Sequence, residues 1–537
     1  MNMKIMQMLL LACLVFVLGS CHSDNGNYDY KDVNEITVDL GEMKYTFVVG
    51  NTARIEPVLT FSMGEIPESE LEYNWTLNGE TVSEEPVLEF VASKIATNVE
   101  CQLRVTNPAN GLTYIGRTVL DFTQKYNSLG WLALSKDEEA SYLNFMTGGI
   151  ASETYEPHLK VYQEQNQGAR LPKETIGFLE HFFSMGSSSK PSSLWVTTPN
   201  ASQCIDLEGA AWSKDVTLPE TFLEPGFAET LTVKQIAELK WMTVVVAQDG
   251  KVYTRKKLSE RSFHTGKFLS EPLTYEGKEI TAEKFLMFPE MRTLCMPFIE
   301  GEKGNQRMLA LLDYNKAAAG KVVPFTVNEQ QYAKAGFSES HPRLNDFKDT
   351  EVTYLGYARE SSSLTNGKYV IILILKKTDG SGYYYQEYKG EKATASSASA
   401  TPMKSVELSA DFFADASVIY AVPYLTNGSR LLVAKGTKLY YIDRLTIGTG
   451  ELRPLNRNFE FDANVTALDA ESSNSNFLGV GLANGKFFVL SLKGTEVNNL
   501  LGKALGDETK KEEERFYQLD GEVFAIRYRY RSANGWT

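Results

Sequence analysis

Runs of alternating apolar and polar residues recur along most of the chain, and they predict β-strands rather than helices. Between residues 36 and 124, seven such runs are separated by turn dipeptides such as Asn78-Gly79 and Asn110-Gly111. This combination is typical of a small antiparallel sandwich. Trp75 stands in one run with an apolar residue two positions away on each side. Its spacing predicts the large buried aromatic residue of an immunoglobulin-like sandwich over residues 36–124.

A second pattern repeats from residue 126 to 537. In segments 245–254, 432–441 and 481–490, an apolar run reaches an Ala and is followed by a Gly-containing turn, a Lys and an aromatic residue. Each segment predicts a β-hairpin. Four further segments match more loosely: 132–146, 193–207, 307–325 and 371–388. Seven hairpin units predict a β-propeller of seven blades, and counts of six or eight stay open because four matches are loose.

Helices are expected to be few. Tyr and Phe, which favour strands, occur 27 and 28 times. The exception is Thr232-Val233-Lys234-Gln235, a capping-box pattern that predicts a short helix with Ile236 and Leu239 on one face. The expected fold class is therefore all-β, with a small sandwich followed by a propeller.

The first twenty residues have a different character. Lys4 precedes an apolar stretch of about eleven residues, whereas a membrane-spanning helix needs roughly twenty. A basic start, a short apolar centre and small residues before a cleavage point indicate a secretory signal peptide over residues 1–20.

The end of this leader, Leu18-Gly19-Ser20-Cys21, closely resembles the lipobox of bacterial lipoproteins. The resemblance implies that Cys21 is acylated and becomes the mature N-terminus, and two or more acyl chains anchor a protein stably to a bilayer. The alternative is an ordinary signal peptide followed by an incidental cysteine. Residues 21–35 are polar and acidic, and we expect them to form a flexible tether.

Charge and side-chain inventory exclude several classes of function. The formal net charge is −14, which argues against a nucleic-acid partner. The cysteines beyond Cys21 imply no disulfide framework, and the five histidines stand apart in the sequence, so no zinc site is expected. The acidic stretch 462–471 fits no calcium loop. Because no phosphate-binding loop or catalytic motif occurs, the sequence predicts a non-enzymatic protein without cofactor or metal.

Aromatic residues in predicted loops suggest one binding hypothesis. Trp195 and Trp212 flank one loop, and Tyr383 and Tyr384 follow a Gly-rich turn. Lining a propeller mouth, they would stack sugar rings or peptide side chains. The alternative is that these residues pack between blades.

Taken together, the lipobox cysteine, the sequence Asn27-Tyr28-Asp29-Tyr30, the sandwich segment YNWTLNG and the segment GWLALS resemble the PKD-like lipoprotein family of Bacteroidetes. The resemblance implies an outer-membrane lipoprotein, often surface-exposed, that accompanies a starch-utilisation-type uptake system. There a lid lipoprotein and a TonB-dependent transporter import glycans or peptides. It implies no catalytic residues. Asn25 directly after Asp24 leaves the acidic signal for surface export incomplete.

The expected function is therefore a lipid-anchored accessory binding protein of a nutrient-uptake complex, facing outside the cell. A propeller-based glycan hydrolase or lyase is one alternative. A pure protein-protein scaffold is another.

Overall fold

The computed structural model describes residues 32–529, apart from 93–95, 124–125, 127–128, 149–153, 182–192, 210, 259–263, 288–293, 360–368, 392, 426–428, 457, 472–474 and 495–500. The predicted signal peptide, Cys21 and the tether up to residue 31 lie outside the described residues. No helix within the described part is long and apolar enough to cross a membrane. Strands dominate, which confirms the all-β fold class. The chain divides into two compact units, with Phe122 opening the longer stretch of the second.

Within the described residues, nine strands build the first unit, and they form one five-stranded sheet and two two-stranded sheets. In chain order they are β1 (Ile36–Asp39), β2 (Lys44–Val48), β3 (Thr52–Ile55), β4 (Val58–Phe61), β5 (Glu72–Leu77), β6 (Glu80–Ser83), β7 (Leu88–Val91), β8 (Ala96–Asn107) and β9 (Leu112–Thr123). The larger sheet has the order β2-β9-β8-β5-β6, and the smaller ones pair β1 with β4 and β3 with β7. One predicted run, 53–61, is split into β3 and β4 around Pro57, which has no N–H to donate to a ladder.

Trp75 is the centre of this unit, as predicted. Its side chain is fully buried, and it lies opposite Leu103 in the pairing of β5 with β8. The indole Nε1 donates a hydrogen bond of 2.9 Å to the backbone oxygen of Glu85. The only polar atom of the largest side chain is thereby satisfied inside the core.

In the second unit, strands follow one another as seven antiparallel meanders within the described residues. Meander 1 holds β10 (Gly130–Lys136), β11 (Ser141–Thr147) and β12 (Glu156–His158); meander 2 holds β13 (Gly177–His181), β14 (Ser193–Thr197), β15 (Ile205–Leu207) and β16 (Lys214–Thr217); meander 3 holds β17 (Val233–Glu238), β18 (Met242–Ala247) and β19 (Val252–Lys256), followed by the hairpin β20 (Thr274–Tyr275) and β21 (Lys278–Glu279). Meander 4 holds β22 (Ala282–Phe285), β23 (Cys295–Glu300), β24 (Arg307–Leu312) and β25 (Val322–Val327); meander 5 holds β26 (Thr350–Arg359), β27 (Tyr369–Lys377), β28 (Gly382–Gly390) and β29 (Ala398–Ser409). Meander 6 holds β30 (Ala416–Ala421), β31 (Arg430–Lys435), β32 (Lys438–Asp443) and β33 (Arg453–Pro454); meander 7 holds β34 (Val465–Ala470), β35 (Phe477–Leu482), β36 (Lys486–Ser491) and β37 (Phe516–Gln518). Helical segments are short: α1 (Val161–Gln165), α2 (Pro225–Ala228) and the 3-10 turns Glu68–Glu70, Ala201–Gln203, Pro219–Thr221, Glu329–Gln331, Ala333–Ala335, Ala410–Phe413 and Glu512–Glu514.

The last strand, β38 (Glu522–Arg529), returns to the first meander. It pairs antiparallel with β10, which gives the strand order β12-β11-β10-β38. Trp131 lies opposite Tyr528, and their ring centroids are 4.8 Å apart. Gly479 in β35 approaches from meander 7, where a Cβ atom would lie 2.9 Å from the Trp131 ring. Glycine is therefore what allows the seventh meander to pack against Trp131 of β10.

Each meander packs on the next through a buried apolar cluster. Leu194 of meander 2 shares a cluster with Leu132 of meander 1, and the same relation continues around the chain. A final cluster joins Phe487 of meander 7 to Trp131 of meander 1. The succession of contacts in the second unit is therefore cyclic. Meanders 4 and 5 are also joined at their edges, because β25 pairs in parallel with β29.

The seven predicted hairpins are all confirmed as antiparallel strand pairs, one in each meander. Gly250, Gly436 and Gly485 take positive φ angles in the turns of the three best matches, as the pattern required. The predicted helix at 232–239 is wrong, because Val233–Glu238 forms β17 and pairs with β18. Pairing with the apolar strand Met242–Ala247 outweighs the local capping signal.

Candidate functional site

Two histidines that are far apart in the sequence meet at one buried carboxylate. Asp206 in β15 is fully buried, and its two oxygens each lie 2.8 Å from a histidine Nε2, one of His181 and one of His264. Burial raises the pKa of Asp206, but the attraction of His181 and His264 and their hydrogen bonds outweigh burial, so the pKa lies below its usual value. The site keeps Asp206 as an anion inside the protein. The five histidines are isolated from one another in the sequence, as stated above, but the fold brings His181 and His264 to the same carboxylate.

A second set of buried charges lies in meander 3. Lys257 Nζ is 2.5 Å from Glu238 Oε1, and both side chains are 3% exposed. Arg255 donates a 2.8 Å hydrogen bond to Thr243 Oγ1, and burial lowers its pKa. Buried charges are tolerated when each one has a partner of opposite sign or a hydrogen bond. We therefore interpret this set as an internal stabilising network.

The last strand, β38, carries the third set of buried charges. Arg529 in β38 donates hydrogen bonds of 3.1 Å to the backbone oxygen of Tyr126 and 2.7 Å to that of Gly209. Its guanidinium carbon lies 4.4 Å from the centroid of the Trp212 ring. Burial lowers the pKa of Arg529 to about 10, so the side chain still carries its charge at neutral pH. These contacts join the last strand to the residue Tyr126 ahead of β10 and to the turn between β15 and β16 of meander 2.

The four aromatic residues singled out in the sequence lie in four different packed regions. Trp195 and Trp212 are fully buried, and they belong to separate clusters. Tyr384 is 7% exposed beside His341, with ring centroids 4.9 Å apart. Tyr383 packs edge-on against Phe413 at 5.3 Å. The structure therefore does not bring the four together, and the buried tryptophans present no ring face to solvent. Their predicted role in ligand binding has no support from their location.

Other predicted positions have simpler outcomes. Cys21, the predicted lipid-attachment residue, lies outside the described residues, and its acylation stays a prediction. In the acidic stretch, Asp462 pairs with Lys486 at 2.8 Å, while Asp469 accepts a 3.1 Å hydrogen bond from Tyr420. Within the described ranges, no group of three or more His, Cys, Asp or Glu side chains is placed to hold a metal ion.

An open cavity of about 610 Å³ lies on meander 6. Its lining comes from the start of β32, from β33 and from the loop that follows: Lys438, Leu439, Tyr440, Pro454, Asn456, Asn458, Phe459 and Glu460. Pro454 pairs with Tyr440, the Leu455 N–H donates a 2.8 Å hydrogen bond to the backbone oxygen of Leu439, and the chain then bends. Asn456 stabilises this turn by donating a 2.9 Å hydrogen bond from Nδ2 to the backbone oxygen of Phe459. Volumes of this order are typical of small-molecule sites, about 300–1,000 Å³.

Sequence reasoning did not find this cavity, although part of the signal was present. Tyr440 and Tyr441 alternate in β32, with Tyr441 buried and Tyr440 partly exposed. An outward-facing aromatic residue next to an Asn-rich loop, residues 456–460, is a recognisable pattern. Nothing in the sequence alone shows that the loop leaves a gap above the strand.

The N-terminal part, residues 21–174, matches the family described as PKD-like family. This match confirms the predicted PKD-like character of that part of the chain. In sequence, no curated protein matches the chain.

Among solved structures, the protein is similar to a quinonprotein alcohol dehydrogenase-like protein from Bacteroides thetaiotaomicron. The identity is 11%, the alignment covers 91% of this chain and 97% of that one, and the TM-score is 0.43. It is also similar to Prp20p from Saccharomyces cerevisiae, with 13% identity, coverage of 77% and 88%, and a TM-score of 0.32. Both similarities are too distant to carry an inference about this chain.

Proposed function

We propose that the second unit is a closed seven-bladed β-propeller in which each meander is one blade. Two observations support this proposal: the cyclic order of the apolar clusters and the pairing of β38 with β10. Closing a ring of sheets removes the exposed edges that a large sheet otherwise presents.

We further propose that the protein is a lipid-anchored accessory binding protein of the outer membrane, acting with a nutrient-uptake complex for glycans or peptides. Its ligand would bind in the cavity of meander 6, which is the observation that carries the proposal. The signal-peptide pattern and Cys21 support the anchor. The resemblance to PKD-like lipoproteins supports a TonB-dependent transporter and a lid lipoprotein as partners.

The lining of the cavity favours binding over hydrolysis. Glycoside hydrolysis uses two carboxyl groups, about 5–9.5 Å apart, on either side of the scissile bond. Glu460 is the one carboxylate among the described residues that line this cavity. A glycan held here would therefore be retained rather than cleaved.

The decisive experiment is a pull-down of the tagged full-length protein from gently solubilised outer membranes. We expect a transporter component in the captured fraction, and its absence would contradict the proposal. Incubation of the purified protein with polysaccharides and peptides tests the enzymatic alternative, because new chain ends would show hydrolysis or elimination. Capture of a partner without any ligand binding would favour the scaffold.

A further inference from the structure

Building on the proposed function, we infer that the meander 6 cavity binds an uncharged carbohydrate, with one sugar ring against Tyr440. Three properties of the cavity carry this inference: a preorganised apolar wall, side-chain oxygens that make no hydrogen bond within the described residues, and a balanced charge. The first property concerns Phe459.

Phe459 belongs to a packed group of aromatic rings and is therefore held in place. Its ring centroid is 5.3 Å from that of Phe461 and 5.7 Å from that of Phe488. Phe488 in turn lies 5.6 Å from Phe516. A wall fixed before binding loses little conformational entropy when a ligand arrives. Pro454 and Tyr440 occupy paired positions on adjacent strands and extend this wall. Together the three rings offer surfaces that suit the C–H face of a sugar.

The polar groups of the cavity are mostly acceptors, which suits a ligand rich in hydroxyl groups. The Nδ2 atoms of Asn456 and Asn458 are already used, bonding Phe459 and Glu512 at 2.9 Å. Within the described residues, no hydrogen bond is made by the Oδ1 atom of either asparagine or by the Tyr440 hydroxyl. Sugar hydroxyls can donate to these oxygens, and each hydroxyl also has lone pairs for the Lys438 ammonium.

Charge selects among carbohydrates. Lys438 and Glu460 are both exposed and lie 3.9 Å apart, and Glu460 also accepts a 2.8 Å hydrogen bond from Thr437. The two charges cancel within the cavity. The chain as a whole carries −14, so an acidic sugar would approach against a repulsive field. A neutral sugar meets neither that repulsion nor an uncompensated charge.

The experiment measures binding of the purified full-length protein in detergent to an array. The array carries neutral oligosaccharides of glucose, galactose, mannose and xylose, their uronic-acid counterparts, and short peptides. We expect binding to at least one neutral oligosaccharide and none to its uronic-acid counterpart. Tyr440→Ala should weaken that binding by about tenfold, the loss of roughly one stacking contact. Tyr440→Phe should retain most of it, and Tyr314→Ala, a change of an exposed tyrosine elsewhere, should leave it unchanged.

The outcomes separate the inference from the proposed function. Binding of peptides alone, weakened by Tyr440→Ala, would overturn the carbohydrate inference and leave the accessory binding function standing. Neutral-sugar binding that Tyr440→Ala does not change would also overturn the inference, because the ligand would then lie elsewhere. Absence of binding to every class would contradict both. The far-ultraviolet circular dichroism and thermal unfolding of each variant establish that it is folded.

Discussion

Asp313 allows a quantitative test of how a buried carboxyl group changes the stability of this fold with pH. It follows β24, it is 1% exposed, and its carboxylate accepts the backbone N–H of Trp241 at 3.0 Å. Burial raises its pKa from 3.8 to about 7, against the opposing effects of that hydrogen bond and of Lys257. The carboxyl group is therefore close to half-ionised at neutral pH. Asp313→Asn removes the titration and keeps an oxygen that can accept from Trp241.

The sign of the pH effect follows from proton binding. A carboxyl group whose pKa is higher in the folded state binds its proton more tightly when folded, so its contribution to stability falls as pH rises from the unfolded pKa to the folded one. The rise of the Asp313 pKa from 3.8 to about 7 corresponds to a total loss of ~4 kcal/mol in the free energy of unfolding, at about 1.36 kcal/mol per pKa unit. More than half of this loss falls between about pH 5 and about pH 8.5. Asp313→Asn has no titrating group at this position, so its stability does not fall for this reason as pH rises.

The assay is urea unfolding of the wild type and Asp313→Asn across that pH range, followed by tryptophan fluorescence. The variant should gain stability relative to the wild type as pH rises. The matched control is Asp462→Asn. The hydrogen bond with Lys486 lowers the pKa of Asp462 below its usual value, so this carboxyl group stays ionised in the folded and unfolded states across the range, and the stability difference between that variant and the wild type should stay constant with pH. A difference between Asp313→Asn and the wild type that stays constant with pH would refute the reasoning.

Three further predictions concern packing, charge pairing and anchoring. Trp212→Ala should lower the free energy of unfolding by about 3–5 kcal/mol, because a fully buried aromatic ring is lost. Trp212→Phe keeps an aromatic ring and should be more stable than Trp212→Ala. Thermal unfolding measures both variants, and equal stability of Trp212→Ala and the wild type would contradict the prediction. Glu238→Gln should lower the free energy of unfolding by about 3–5 kcal/mol, because the buried Lys257 ammonium loses the carboxylate it pairs with. Adding Lys257→Met should restore most of this loss. A double-mutant cycle measured by urea unfolding tests the coupling, and simple additivity of the two changes would argue against it. Cys21→Ser should abolish the incorporation of labelled palmitate and release the protein from membranes. The control Cys13→Ser should do neither. Palmitate labelling of the Cys21→Ser variant would exclude Cys21 as the attachment point.

Features set by nearby residues were the ones that the sequence predicted well. A hairpin needs an apolar strand, a turn that tolerates positive φ and a second strand, all within about fifteen residues. Segments such as 432–441 contain all three, and Gly436 takes its positive φ in the structure. Trp75 was predictable for the same reason, because its neighbours at a spacing of two reveal a half-buried strand.

Features set by long-range pairing were missed or misread. The residues around Thr232 have a helix-start pattern, yet the partner strand Met242–Ala247 makes the segment a strand. His181, Asp206 and His264 come from three elements, and no spacing in the sequence joins them. Trp195 was predicted to flank a loop and to line a binding surface, but it is buried in β14 in a cluster shared by meanders 2 and 3. The cavity beside Tyr440 depends on the path of a loop, which local patterns do not determine.

The pairing of β38 with β10 makes the first meander depend on a strand that is synthesised much later. Arg529 and its partner Tyr126 are 403 positions apart in the sequence. Bringing such distant segments together carries an entropic penalty of about 5 kcal/mol, which is recovered only when the final strand is in place. A polypeptide that stops short of this strand leaves one edge of β10 unpaired and Trp131 without its contact with Tyr528. Such a truncated product would be open to proteases and prone to associate.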